Sequence, residues 1–191
     1  MVYKIEMHEI LSSINLKEHK MPNFLENAEI FYYTLVAFSL PFVISHTQQQ
    51  FMVGTVVNAM LVLAALNIRG YKILPIIILP SIAVFLAAAL FGQETKFILY
   101  LMPFIWVGNS ILILGIKYLH FRKKMNEIVA YIISSFLKAS FLFLSSLILV
   151  FINLIPAQFL TIMGIMQLMT ALAGCAVGAL IQRFKRYRYF K

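Results

Sequence analysis

Residues 127–153 read EIVAYIISSFLKASFLFLSSLILVFIN, and after Glu127 at its start the sole charge in that run of 27 residues is Lys138. A helix needs roughly 20 predominantly apolar residues to cross the ~30 Å hydrocarbon core of a bilayer. This run is long enough, and it lacks the charged face that a soluble amphipathic helix carries. Working outward, comparable runs precede it at Ala28–Ser45, Phe51–Ile68, Tyr71–Gly92 and Phe97–Leu119, and one follows at Gln158–Ile181. The first two are short, with the polar stretch His46–Gln50 between them, so a fused long hairpin is the alternative there. The expected fold is all-α: a polytopic membrane bundle of about six transmembrane helices with both ends in the cytoplasm.

Composition agrees. The chain of 191 residues is 62% apolar and 12% charged, with a mean hydropathy of +0.89. Soluble domains run near half apolar and a quarter charged. The net charge of +9 reflects orientation more than nucleic acid. Fourteen of the sixteen Lys and Arg residues fall in the N-terminal stretch (Lys4, Lys17, Lys20), at Arg69 and Lys72, at Lys117 and Arg122–Lys124, or after residue 182. The loops on the other side hold only Lys96. Such a bias places the basic side in the cytoplasm. No interleaving of aromatic and basic residues marks a nucleic-acid surface. Three segments follow: a cytoplasmic amphipathic segment 1–27, a six-helix domain 28–182 and a basic cytoplasmic tail 183–191. In the first, Tyr3, Met7, Ile10, Leu11 and Ile14 share a helical face suited to the membrane surface or to the bundle's own loops, and Pro22 is expected to end that helix. No cleavable signal peptide is expected, since the first apolar run lacks a small-residue cleavage pattern.

The missing residue types exclude chemistry. The chain has no Asp, and its seven Glu residues lie outside the apolar runs or at their ends. The single Cys175 forms no internal disulfide, and lone histidines without Cys or Asp neighbours are a poor metal site. An intramembrane enzyme would lack the usual acid–base and metal groups, and a carrier working through an acidic relay would lack the relay. No cofactor or metal is expected.

What remains is a set of polar groups inside apolar runs. A lysine at mid-bilayer costs about 2.5–3.5 kcal/mol, so Lys138 demands compensation. Ser134 and Ser145 lie on its side of the helix, which gives the helix a narrow polar stripe. Three roles compete: binding an anionic ligand group, a structural role as a neutral amine or one capped by backbone carbonyls, and a Ser–Lys catalytic pair with Ser134 or Ser135. Counting 1.5 Å per residue from the outer ends of their helices, Asn58, Asn109 and Gln167 lie ~10, ~18 and ~13 Å deep, and Lys138 ~20 Å. Each amide alone would serve as an interhelical hydrogen bond. Together they outline a polar pocket open outward, beside which Trp106 stands one turn from Asn109. His46, Gln48, Gln49 and Gln50 form a polar patch that can act as a lid or as a solvated turn. Pro41, Pro75, Pro80 and Pro103 are expected to kink their helices. Gly174 and Gly178 make a small-residue face for internal packing or for another subunit.

Four stretches carry a family resemblance: Gly54-Thr-Val-Val-Asn-Ala59, Leu79-Pro-Ser81, Pro103-Phe-Ile-Trp-Val-Gly-Asn109 and Leu137-Lys138. With six helices, cytoplasmic ends and a length near 190, the chain over residues 28–182 resembles the S-components of energy-coupling factor transporters, the substrate-binding membrane subunits of bacteria and archaea. The resemblance implies a plasma-membrane subunit that binds a vitamin, related micronutrient or metal ion from outside. It also implies toppling in the membrane while docked to a transmembrane coupling subunit and two ATPases, with His46–Gln50 as lid. The first helix departs from the family's docking pattern, having Ala37 but no Ala-xxx-Ala repeat. On this basis Asn58, Trp106, Asn109, Lys138 and Gln167 would form the substrate site, and Lys138 would favour a negatively charged solute. The chain has no Gly-xxxx-Gly-Lys-Ser/Thr loop of its own, so ATP would be handled by partners. The competing expectation is a non-catalytic membrane scaffold of a cell-envelope assembly complex, whose amides and lysine would satisfy one another without a ligand-sized cavity.

Overall fold

The computed structural model of the chain describes residues 2–18, 22–44, 50–87 and 97–189. The described residues are all-helical: α1 Val2–Ser12, α2 Asn23–Val43, α3 Gln50–Asn67, α4 Leu74–Ala87, α5 Ile98–Ile116, α6 Glu127–Phe151, α7 Gln158–Thr161 and α8 Gln167–Tyr189. Short 3₁₀ turns at Ser13–Asn15 and Gly70–Ile73 join the first elements. Wider π-helical segments extend α5 over Lys117–Arg122 and link α7 to α8 over Ile162–Met166.

The decisive run folds as α6 for local reasons. Asn126 caps its start, its side chain accepting from the Ile128 N–H at 2.9 Å. Asn153 ends it in the left-handed conformation, φ 58°, which asparagine tolerates better than most residues. Between these caps the polarity is inside out: Ser134, Ser135, Lys138, Ser145 and Ser146 are buried, whereas Ile132, Phe136, Leu144, Ile148 and Phe151 are exposed. Large apolar side chains facing outward are what a lipid solvent favours and water does not. Four stretches are long and apolar enough to cross a membrane: Gly70–Ala87, Ile98–Arg122, Glu127–Phe151 and Gln158–Tyr187. Phe51–Asn67 is a shorter apolar helix. These helices mark the protein as membrane-embedded.

The bundle's most extensive helix pairing is α3 on α8. A Cβ on Gly174 would lie 2.5 Å from the Asn58 Cβ and 2.8 Å from the Ala59 N and Thr55 O, and one on Gly178 would meet Val62 at 2.9 Å. The small-residue face of α8 is thus an internal contact, and it draws α3 close enough to bring Asn58 beside Thr170. Ala37 of α2 is also fully buried, within a core that includes Leu61, Leu66, Ile76 and Ile113.

Boundaries differ from expectation at both ends of the chain: α8 runs on through Tyr189, so most of the segment expected as a tail from residue 183 is helical. Helix α1 stops at Ser12, and Pro22, instead of ending it, stands directly before α2 as its N-cap. Helix α2 starts at Asn23, ahead of Ala28, so it carries Glu26 and Glu29 in its first two turns. Of the amphipathic face, Met7 and Leu11 point outward while Ile14 packs on the core.

The reason α2 begins early lies at the end of the bundle where the basic segments converge. Glu26 is fully buried, takes Lys17 Nζ at 2.8 Å and the Arg69 backbone N–H at 2.8 Å, and faces Arg69 Nε at 3.5 Å and Lys72 at 3.9 Å. Burial alone would raise its carboxyl; the Lys17 and Arg69 hydrogen bonds and the charges of Lys17 and Lys72 outweigh it and leave the group below its ordinary value. Lys117, also fully buried, donates to the backbone carbonyls of Leu16 and, at 2.7 Å, Ile68. Asn67 and Gln182 exchange amide hydrogen bonds at 2.9 and 3.1 Å, and Gln182 reaches Glu18 at 2.7 Å. Arg186 pairs with Glu18 and, at 3.6 Å, with Glu127; Lys185 pairs with Glu29 at 2.6 Å.

Candidate functional site

Helices α3, α4, α5, α6 and α8 bring polar side chains to the same place. Lys138 of α6 is buried and donates to Asn58 Oδ1 of α3 at 2.6 Å and to Asn109 Oδ1 of α5 at 2.9 Å. Each amide is oriented from its far side. Asn109 Nδ2 donates to the Ile77 carbonyl of α4 at 3.0 Å, and Asn58 Nδ2 donates to Thr170 Oγ1 of α8 at 3.3 Å. With their NH₂ groups so engaged, both amides turn their carbonyl oxygens to the ammonium. Pro80 sits in α4 beside this contact; its missing N–H loosens the helix ladder one turn back.

These groups border a cavity of about 90 Å³, whose lining includes Asn58, Ser81, Asn109, Lys138, Gln167 and Thr170. The rest of the wall is apolar, with Val53, Val57, Val84, Ile98 and Ile105, and with Met163 and Met166 from the π-helical segment. At ~10–15 Å³ for each water, the space holds about six to nine waters. It falls below the ~300 Å³ at which drug-sized pockets begin. A carboxylate or another small anionic group fits; a whole vitamin would need the helices to part.

Of the five residues singled out for the site, four meet at this cavity: Asn58, Asn109, Lys138 and Gln167. Trp106 stands one shell back. Its indole N–H donates to Ser81 Oγ at 2.8 Å, and Ser81 in turn bonds the Ile78 carbonyl at 2.9 Å. Its part is to hold Ser81 at the cavity wall. Gln167 differs from the two asparagines in that, among the described residues, its side-chain amide has no hydrogen-bond partner. His46, Gln48 and Gln49 lie outside the described residues, and Gln50 begins α3. The serines have other neighbours than Lys138: Ser135 Oγ lies 3.4 Å from Cys175 Sγ, and Ser145 bonds the Phe141 carbonyl at 2.8 Å. Ser134 faces Gly115, where an added Cβ would lie 2.6 Å from its Oγ. No Ser–Lys pair is formed among them.

Thr170 is not among the site residues expected from the sequence, and Ser81 enters there only within the Leu79–Ser81 stretch of the family resemblance. The available signal was their position, Ser81 following Pro80 in an apolar run and Thr170 three residues after Gln167. No acidic side chain reaches Lys138: among the described residues its hydrogen bonds go to the two amides alone. An ammonium has three protons to donate, so with Lys138 protonated the cluster is a positive centre with donor capacity to spare. It is suited to hold negative charge by hydrogen bonding, and it offers no nucleophile–base pair for covalent chemistry.

Compared with family models, with curated proteins and with solved structures, the chain matches none of them.

Proposed function

We propose that this protein is the solute-binding subunit of a membrane uptake system, taking a small anionic solute, or the carboxylate of a larger one, at Lys138. The observation that carries the proposal is a buried lysine that, among the described residues, has no carboxylate partner and stands with other polar groups on the wall of an otherwise apolar cavity. In a low-dielectric interior a lone ammonium costs several kcal/mol unless a counter-charge or strong hydrogen bonds offset it. Two neutral carbonyls offset part of that cost, and an anion would offset the rest. Gln167, Ser81 and Thr170 supply further polar contacts.

The full arrangement has α2 and α3 spanning together with the four longer helices, for six in all. The fourteen basic residues then face the cytoplasm of a prokaryotic cell, and the cavity opens outward. The type of system is that of the energy-coupling factor S-components, on the residues 54–59, 79–81, 103–109 and 137–138 that resemble them. A coupling subunit and ATPases would then supply the energy. The buried position of Ala37 disfavours α2 as the docking face.

A membrane scaffold is the second reading, and one observation favours it: Lys138, Asn58 and Asn109 largely satisfy one another, in a cavity of only about 90 Å³. Native mass spectrometry of the detergent-purified protein, followed by thermal-shift screening of small carboxylates and vitamins, separates the two. Solute binding that weakens about ten- to a hundredfold in Lys138→Met, the worth of a charge-assisted hydrogen bond, supports a binding subunit. If no anion raises the melting temperature of the wild type, the proposal fails and the scaffold stands.

A further inference from the structure

A second concavity lies on the outer surface of the bundle, unconnected with Lys138 in its lining, where α6 and α8 run side by side. Its floor is made by Tyr131, Cys175, Ala176 and Ala179, and its rims by Ile132, Leu172 and Leu180. The groove exists because α8 has small residues on two faces. Gly174 and Gly178 take the approach of α3, whereas Ala176 and Ala179 lie on the side open to lipid. From Leu172 to Arg183 the groove follows α8 for eleven residues, or about 16 Å at 1.5 Å per residue. That is roughly half of the ~30 Å hydrocarbon core, the depth of one leaflet.

At its mouth, on the end of the bundle where the basic segments gather, stand Glu127 and Arg183. Glu127 is already engaged: it accepts from Tyr131 OH at 2.6 Å and faces Arg186 at 3.6 Å. The neighbouring cations Lys185 and Arg186 are engaged as well, with Glu29 and Glu18. Arg183 is exposed and, among the described residues, faces no carboxylate. An apolar trough one leaflet deep, ending on an uncommitted guanidinium, is complementary to an acyl chain carrying a phosphate at its head.

We propose that the α6–α8 groove is a specific site for an anionic glycerophospholipid, one acyl chain lying between Ile132 and Leu172 and the phosphate held by Arg183. The two halves have separate signatures. Arg183 selects the headgroup and leaves chain binding intact, while the small floor residues admit the chain whatever the headgroup.

The test uses the full chain in detergent, with added phosphatidylglycerol and phosphatidylcholine of identical chains, and counts lipids retained per protein by native mass spectrometry. Wild type is expected to retain phosphatidylglycerol over phosphatidylcholine. Arg183→Gln is expected to lower phosphatidylglycerol retention about fivefold, the factor that one basic residue near an anionic surface is worth, and so to erase the preference. Ala176→Phe, at an exposed position that leaves the helix contacts alone, is expected to lower retention of both lipids. Lys124→Gln, at an exposed lysine outside the groove, is expected to change nothing. Unchanged phosphatidylglycerol retention in Arg183→Gln overturns the proposal, as does an equal loss in Lys124→Gln, which would mean diffuse attraction. Undiminished retention in a folded Ala176→Phe overturns it too.

Discussion

Lys117 and Lys138 are both buried lysines that hydrogen-bond no carboxylate, yet their surroundings differ in kind. Lys117 donates to two backbone carbonyls, those of Leu16 and Ile68, and thereby ties the N-terminal segment to the end of α3. Near it at the same end of the bundle, Glu26 gathers three cations, and Asn67 and Gln182 bond to each other. Lys138 donates to two side-chain amides that are themselves held by α4 and α8, and it borders open space. The first lysine is a tie between segments, and the second is a positive centre that the helices merely frame. Burial of a lysine therefore carries no single meaning; what its acceptors are attached to decides it.

The largest expected effect lies on the structural side of that contrast. Glu26→Ala leaves Lys17, Arg69 and Lys72 facing one another without an anion and the Arg69 N–H without its acceptor, and the loss of two hydrogen bonds to a charged group costs about 3 kcal/mol or more. Unfolding in mixed detergent measures it; a loss below about 1 kcal/mol would mean that the network is ornamental. The same carboxylate predicts a pH dependence. Its folded value is depressed below the ordinary 4.5, so its contribution is complete above that pH and is lost as the pH falls through the lowered value. Acid titration of wild type against Glu26→Gln should show the difference between the two narrowing below pH 4.5.

Next in size, Lys117→Met is expected to cost about 2–3 kcal/mol, because two buried carbonyls lose a charged donor and the charge removed is one that nearby Glu26 already favours, so less burial cost is relieved. Gly174→Ala should cost about 2 kcal/mol by overpacking, since its Cβ would press on backbone atoms of α3 at 2.8 Å that cannot step aside. Smallest is the stability change in Lys138→Met, expected within about 1 kcal/mol. Relief of a charge burial of about 2.5–3.5 kcal/mol offsets two amide oxygens left without a donor at about 1–3 kcal/mol each. Parallel melts of the Lys117 and Lys138 variants sharpen the comparison. Equal losses would erase the distinction between tie and positive centre.

The membrane class and the Lys138 cluster were legible in the sequence because lipid makes polar residues conspicuous. Asn58, Asn109, Lys138 and Gln167 stand alone in apolar runs, and counting residues from the helix ends put them at similar depth before any contact was known. The structural end was not legible in that way. Glu26, Lys117 and Gln182 lie where charge is ordinary, beside many other charges, and nothing local distinguishes a solvated lysine from one buried under Leu16 and Ile68. The start of α2 was misplaced for the same reason: Glu26 and Glu29 read as the edge of an apolar run, whereas they are helical and find their cations in distant segments. Trp106 was near the right place with another task, since the residue that fixes it, Ser81, belongs to a different helix. The internal role of Gly174 depended on Thr55 and Asn58 arriving opposite it, which spacing on α8 alone leaves open.

The contacts of Glu18 have a consequence for how the protein comes into being. Its carboxylate meets Gln182 and Arg186, 164 and 168 residues further along the chain. At a synthesis rate of ~5–20 residues per second, the interval between making the two sides is on the order of ten to thirty seconds. During that time the first segment leaves the ribosome, and the helices enter the membrane one after another, while Glu18 waits for its cation. The contact closes only once Gln182 and Arg186 have been made, so a ribosome stalled before Gln182 would leave behind an inserted set of helices whose clasp had never been fastened.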